Sequence, residues 1–381
     1  VDLERRPQDG DRPRGSAPVG LSFWTQVVVI TFFVIVGLVY AAGILIPLSL
    51  ALLLFVLITA IVDKVRLLRV GTFKIPNWLA HIISLVIVTL GLLGIFSILS
   101  SQAGDVAEAF PRYEQRFSDI LSRIVALIGD ENYAAVENAV TTFDISELAG
   151  GAISSAGAFL GAAFLVLLYL PFMLLERSAM NKKLALVAQD PEFKETLRKI
   201  VKNMSFSLQR YVGIKSLVSL ITGLGSYAFM KPVGLDFAET WAVLAFVLNF
   251  IPTIGSIVGV ALPSLVALVQ FDTFTPFLII LCGCGAVQFV VGNILEPALT
   301  GRSLNLSPLM VILALTFWTA IWGMVGALLS VPITVCFLIV MSHIPATRVI
   351  AILMSGDGNL LAEKPEGAEN ELNRNESRTN S

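Results

Sequence analysis

Charge is scarce in this chain. Its 381 residues carry 26 Lys and Arg and 28 Asp and Glu, 14% of the total, for a net charge of −2. Nothing in that balance points to nucleic acid as a partner. Histidine occurs twice, at His81 and His343, and cysteine three times, at Cys282, Cys284 and Cys336. A nucleophile with a partner histidine, a metal-ligand cluster and a phosphate loop are all missing. An enzyme, an ATP-driven pump and a resident cofactor or metal are therefore not expected. Cys282-Gly-Cys284 lacks companion ligands, and the three cysteines, all in apolar segments, read as membrane packing residues.

Apolar residues, by contrast, make up 56% of the chain. A domain of this size with that composition is an all-α polytopic membrane protein. Eight hydrophobic segments follow: Phe23–Ile46, Pro47–Val62, Trp78–Ser100, Ile153–Leu175, Tyr211–Met230, Phe237–Gln270, Pro276–Ile294 and Pro308–Met341. The first is too long for a signal-peptide core. The chain accordingly divides into a disordered tail (1–20) and three membrane helices (21–100). An outer helical segment (101–152) and a fourth membrane helix (153–176) come next. A basic amphipathic helix (177–210), a transport core (211–345) and a second tail (346–381) complete it. The basic helix either lies on an anionic leaflet or packs on its neighbours with its lysines solvated.

Loop charge sets the orientation. Arg5, Arg6, Arg12 and Arg14, then Lys64 to Lys74, then Arg177 to Arg210 all fall on the cytoplasmic side, with the N-terminus inside. The linker after the third segment holds many Asp and Glu and belongs outside.

Two of the apolar runs, Phe237–Gln270 and Pro308–Met341, are too long for one span and too short for two. As continuous helix each would be roughly 50 Å long, against a bilayer core of ~30 Å. Both are interrupted, the first at Asn249-Phe-Ile-Pro252-Thr253-Ile-Gly255, the second at Trp322-Gly323 and Pro332. The arithmetic favours a re-entrant helical hairpin in each. The first then enters from outside and the second from inside, the pattern of an inverted repeat with breaks at matching positions. Broken backbone at membrane depth is tolerated where it is buried in protein or lines a polar cavity.

The candidate site residues gather at these breaks. Pro252 lacks an amide donor and frees a carbonyl; Gly255 permits a tight reversal. Asn249, Thr253 and Ser256 supply neutral donors and acceptors. Gln288 and Asn293 are amides in an apolar helix. Glu296, before Pro297, either carries a proton or pairs with Arg302. Trp318, Trp322 and Gly323 surround the second break, where the tryptophans either line a binding surface or pack. Gly157-Ala-Phe-Leu-Gly161 is a small-residue packing pattern suited to an intramolecular or subunit contact.

The motifs Asn249-Phe-Ile-Pro-Thr-Ile-Gly255, Gly292-Asn-Ile-Leu-Glu296-Pro297, Gly301-Arg302-Ser-Leu-Asn-Leu-Ser307-Pro308 and Phe317-Trp318 through Trp322-Gly323-Met-Val-Gly326 to Val331-Pro332 resemble those of the autoinducer-2 exporter (AI-2E), or PerM-like, permease family. The likeness covers about Phe23 to Met354. It implies hairpins at a substrate site, a homopentamer and elevator-like movement; with the orientation set by loop charge, the expected place is the bacterial inner membrane, with both termini cytoplasmic. It also implies a substrate site at Asn249, Pro252, Thr253, Gly255, Asn293, Glu296, Arg302, Trp318, Trp322 and Gly323. Thr319-Ala320 and Ser330 depart from the family's usual residues, which bears on the cargo rather than the fold. The expected partner is a small-molecule solute or ion crossing the lipid bilayer. The leading reading is export of a small polar solute such as the autoinducer-2 furanone. The alternatives are a sodium or lithium/proton antiporter acting through Glu296, and a non-transporting membrane scaffold. A cysteine placed at position 302 is expected to be labelled from the cytoplasmic face only; labelling from the opposite face sinks the hairpin topology.

Overall fold

The computed structural model describes residues 21–67, 69–70, 73–128, 164–176, 179, 183, 186, 190–300 and 305–358. The first tail, residues 359–381 of the second, the Gly157–Gly161 pattern, Arg302 and much of the expected basic segment's start lie outside the described residues. The helices are α1 (Leu21–Tyr40), α2 (Ala42–Leu67), α3 (Asn77–Ile128), α4 (Phe164–Glu176), α5 (Pro191–Val233), α6 (Ala238–Leu248), α7 (Ile254–Gln270), α8 (Thr275–Val290), α9 (Glu296–Thr300), α10 (Pro308–His343) and α11 (Arg348–Met354). A two-stranded antiparallel ribbon, Arg69–Val70 with Phe73–Lys74, joins α2 to α3. The protein is an all-α polytopic membrane protein: α2, α3, α5, the α8–α9 rod and α10 are long and apolar enough to cross a bilayer.

Helix boundaries depart from the hydropathy segments in three places. α1 yields to α2 at Ala41 rather than at Pro47, which sits within the first two turns of α2 and costs it a single ladder bond. α3 runs for 52 residues, roughly 78 Å, straight through the expected boundary at residue 100 and through Pro111. α5 joins the expected basic helix to the fifth segment in one piece of 43 residues. Its start is fixed locally: Asp190 accepts from the Phe193 N–H, and Pro191 occupies the first turn, where its missing donor is not needed. Its end is fixed by Gly234 in the left-handed region (φ 78°), bonded back to Lys231 and Met230.

Both long apolar runs reverse direction. In the first, α6 packs against α7 across the turn 249–253. Ala238 at the start of α6 shares a buried cluster with Ala267 near the end of α7. In the second, the helix path breaks at Trp322 (φ −123°, ψ 15°) and Gly323 (φ 61°, ψ −141°). Trp318 and Phe337 then stack with ring centroids 6.4 Å apart; a continuous helix would separate them by roughly 28 Å. Met310 and Met341, near opposite ends of α10, meet in one cluster with α11. The two reversal tips also touch: Leu248 and Ile251 of the first pack with Ala327 of the second.

A glycine closes each tip. A side-chain carbon on Gly255 would lie 1.8 Å from the Leu248 carbonyl oxygen, and one on Gly326 would lie 1.9 Å from that of Trp318. Gly255→Ala and Gly326→Ala are each expected to cost about 2 kcal/mol or more through forced overpacking. The check is the thermal midpoint of the detergent-solubilised protein, with Gly94→Ala in α3 as the control, since that position has open space.

Candidate functional site

α5 supplies one wall of the site. Tyr211, Lys215, Ser219, Thr222 and Ser226 recur at three- and four-residue intervals on one buried face of this helix. Thr222 answers its own need by donating to the Val218 carbonyl. Ser219 instead accepts from the Asn249 side-chain amide at 3.0 Å, and the Asn249 oxygen accepts from Gln288 at 3.2 Å. This chain of two bonds ties α5, the first tip and α8 together, and it satisfies polar groups that would otherwise be costly to bury.

The first tip owes its shape to strained backbone. The Ile254 N–H bonds to the Pro252 carbonyl at 2.6 Å, closing a γ-turn around Thr253 (φ 64°, ψ −53°). This is the rarer and more strained γ-turn, and a β-branched residue at positive φ adds to the cost. Strain of this kind persists where surrounding structure over-determines it, and it clusters at ligand clamps and switches. α8 carries a second irregularity. Between it and α9 the ladder widens to a π-helical turn, Val291–Leu295. Pro297 has no N–H to give the preceding turn, a local reason for the widening. Gly292 and Asn293 of that turn face the same space as Gly285, Gln288 and Phe289.

These elements enclose a cavity of about 580 Å³. Asn249, Pro252, Thr253, Ser256, Gln288, Asn293 and Glu296 all line it, so seven of the sequence-predicted residues converge on one space. Its remaining walls include Tyr211, Lys215, Ile257 and, from the second run, Val311 and Val331. Gly255 is not in the wall; it sits behind it, sealing the tip against Leu248.

The second break plays a different part. Trp318 and Trp322 are buried, 5% and 8% exposed, among Leu38 of α1 and Ala42, Leu45 and Ile46 of α2. The Trp322 indole N–H donates to the Leu38 carbonyl at 3.0 Å. Both tryptophans thus pack the second tip against the first two helices. Gly323 supplies the positive φ of the bend and has open space around it.

Among the described residues, the cationic partner of Glu296 is Lys215. The Lys215 Nζ lies 2.6 Å from a Glu296 oxygen, with the lysine side chain 8% exposed and the carboxylate 29%. Lys215 was not among the sequence candidates. The available signal was a lone lysine inside the apolar segment Tyr211–Met230, which is a functional flag in a membrane helix.

At the far end of α5, a second polar cluster fixes the feet of the first reversal to α3. Gln102 donates to Glu239 at 3.3 Å, the Tyr113 hydroxyl donates to Asp236 at 2.7 Å, and Arg116 pairs with Asp272 at 2.7 Å. Glu239 also accepts from Tyr227 and Lys231. Burial, and then the Asp236 carboxylate beside it, pushes the Tyr113 hydroxyl above the usual tyrosine range. Among the described residues, no group of three or more His, Cys, Asp or Glu is arranged to hold a metal ion.

Comparison with known proteins agrees with this architecture. Residues 28–346 match the profile of the AI-2E family transporter. A putative transport protein of Haemophilus influenzae is 30% identical over 328 residues, covering 84% of this chain and 92% of that protein. The AI-2 transport protein TqsA of Escherichia coli K12 is 30% identical over 327 residues, with the same coverage. The putative transport protein YhhT of Escherichia coli K12 is 26% identical over 326 residues, covering 84% of this chain and 90% of that protein. With its profile matched over most of its length and two relatives this similar from end to end, the chain belongs to the AI-2E family of membrane transport proteins.

Proposed function

We propose that the protein is a secondary exporter of a small, polar, uncharged organic solute, with the cavity beneath the first tip as its binding site. The observation that carries this reading is the cavity's wall. It offers amides and hydroxyls from Asn249, Gln288, Asn293, Thr253 and Ser256, and its two charges cancel. Such a wall suits a solute with hydroxyls and carbonyls and no net charge. The relative from Escherichia coli K12 is named for AI-2 transport, and the autoinducer-2 furanone fits this class.

On this reading each reversal is a re-entrant hairpin, and the two runs form an inverted repeat. The feet of the first reversal share one end of the molecule with the far half of α3. Those of the second lie together beside α11, where Leu306 bridges to Ser355. With the basic linkers inside, the cavity belongs to the cytoplasmic half, both termini are cytoplasmic, and the protein sits in the bacterial inner membrane. Elevator-like movement of the hairpin unit, within a homopentamer, is the mode of transport proposed. The antiporter alternative needs a carboxylate free to exchange a proton for a metal ion, and the Lys215 partner weighs against that role for Glu296.

The test is counterflow of labelled autoinducer-2 furanone in proteoliposomes. Asn249→Ala and Gln288→Ala are each expected to lower the flux roughly tenfold, since each leaves a buried partner unsatisfied. Sodium-dependent proton movement abolished by Glu296→Gln, with no furanone flux, would establish the antiporter instead. Neither activity from an intact oligomer would favour the scaffold.

A further inference from the structure

We infer that Lys215 is a specificity-determining residue: paired with Glu296, it holds the cavity wall at zero net charge and thereby excludes small ions. The inference rests on reading this cavity as the transport site.

The geometry is specific. Lys215 stands on α5 and Glu296 at the first position of α9, and the two meet at 2.6 Å across the cavity wall. They are the charged residues among the described lining. Among the described residues, the other titratable group facing the pair is Tyr211, one turn before Lys215 on the same helix. From the first tip and α7 the facing groups are Asn249, Thr253 and Ser256, from α8 and the π-turn Gln288 and Asn293, and from α10 Val311 and Val331. All of these are neutral.

The Lys215 side chain is 8% exposed, and a charge so far out of water is unfavourable unless a counter-charge accompanies it. With the pair intact, an incoming ion adds an uncompensated charge and is rejected. An ammonium carries three N–H donors and a carboxylate two oxygens. Their contact uses one of each, which leaves donor and acceptor capacity side by side for a solute's carbonyl and hydroxyl. Removing either partner leaves the other's charge for a solute to balance.

The experiment measures uptake of labelled furanone, lactate and ethanolamine by proteoliposomes holding the full-length protein. The unmodified protein is expected to carry furanone and exclude both ions. Glu296→Gln is expected to admit lactate, and Lys215→Met ethanolamine, each with a gain of roughly tenfold or more. The double variant is expected to exclude both ions again. Should a single variant fail to assemble, Asn293→Lys and Asn293→Asp shift the charge of the same wall while leaving the pair in place. They are expected to admit lactate and ethanolamine respectively. Ion flux through the unmodified protein, or variants whose ion uptake does not follow the sign of the wall, overturns the inference. Sign-dependent ion uptake without furanone flux upholds the inference while removing the furanone as cargo.

Discussion

A chain that reverses inside an apolar layer must bring backbone close against backbone, and the two reversals do so alike. Each brings a glycine against the carbonyl seven or eight residues earlier, Gly255 against Leu248 and Gly326 against Trp318. No other residue type fits so near. Because the tips are this tight, Leu248, Ile251 and Ala327 can meet in one buried cluster. Their meeting fixes the depth at which Asn249 is presented to Ser219 and Gln288. The cavity is thus a product of two close approaches of backbone to backbone, and its polar wall follows from where the chain was forced to turn.

The two breaks share a device but divide the labour. The first tip carries strained Thr253 and a row of hydrogen-bonding side chains, and faces the cavity. The second turns on Gly323, and its two tryptophans bind it to α1 and α2, giving the first tip a fixed apolar backing. Between them, α5 serves both sides. Its Tyr211 and Val212 pack with α10 and α2, while Ser219 and Lys215 reach the cavity partners. A single long helix therefore sets the spacing between the site and the frame around it.

The sequence made the breaks legible because their length conflicts with bilayer thickness, and neutral polar residues inside apolar runs stand out against that background. Asn249, Ser256 and Gln288 were found this way and lie in one cavity wall. Lys215 was not, since its partner is 81 positions away and pairing over such a distance leaves no local pattern. The true lengths of α3 and α5 were hidden for a different reason. Hydropathy follows the surroundings of a helix, whereas helicity follows its hydrogen-bond ladder, and the ladder continues where the surroundings change. The tryptophans of the second break were recognisable as conspicuous residues, but only their neighbours could separate a binding surface from an anchor.

The far half of α3 has a consequence for what the chain can tolerate. Gln102, Tyr113 and Arg116 fall on one stripe of that helix and hold three points around the feet of the first reversal. An α-helix turns about 100° per residue. A residue added or lost between Gln102 and Tyr113 would swing Gln102 out of phase with the other two. The stretch is thus a ruler read in angle as well as length. Changes in its length must come in near-whole turns.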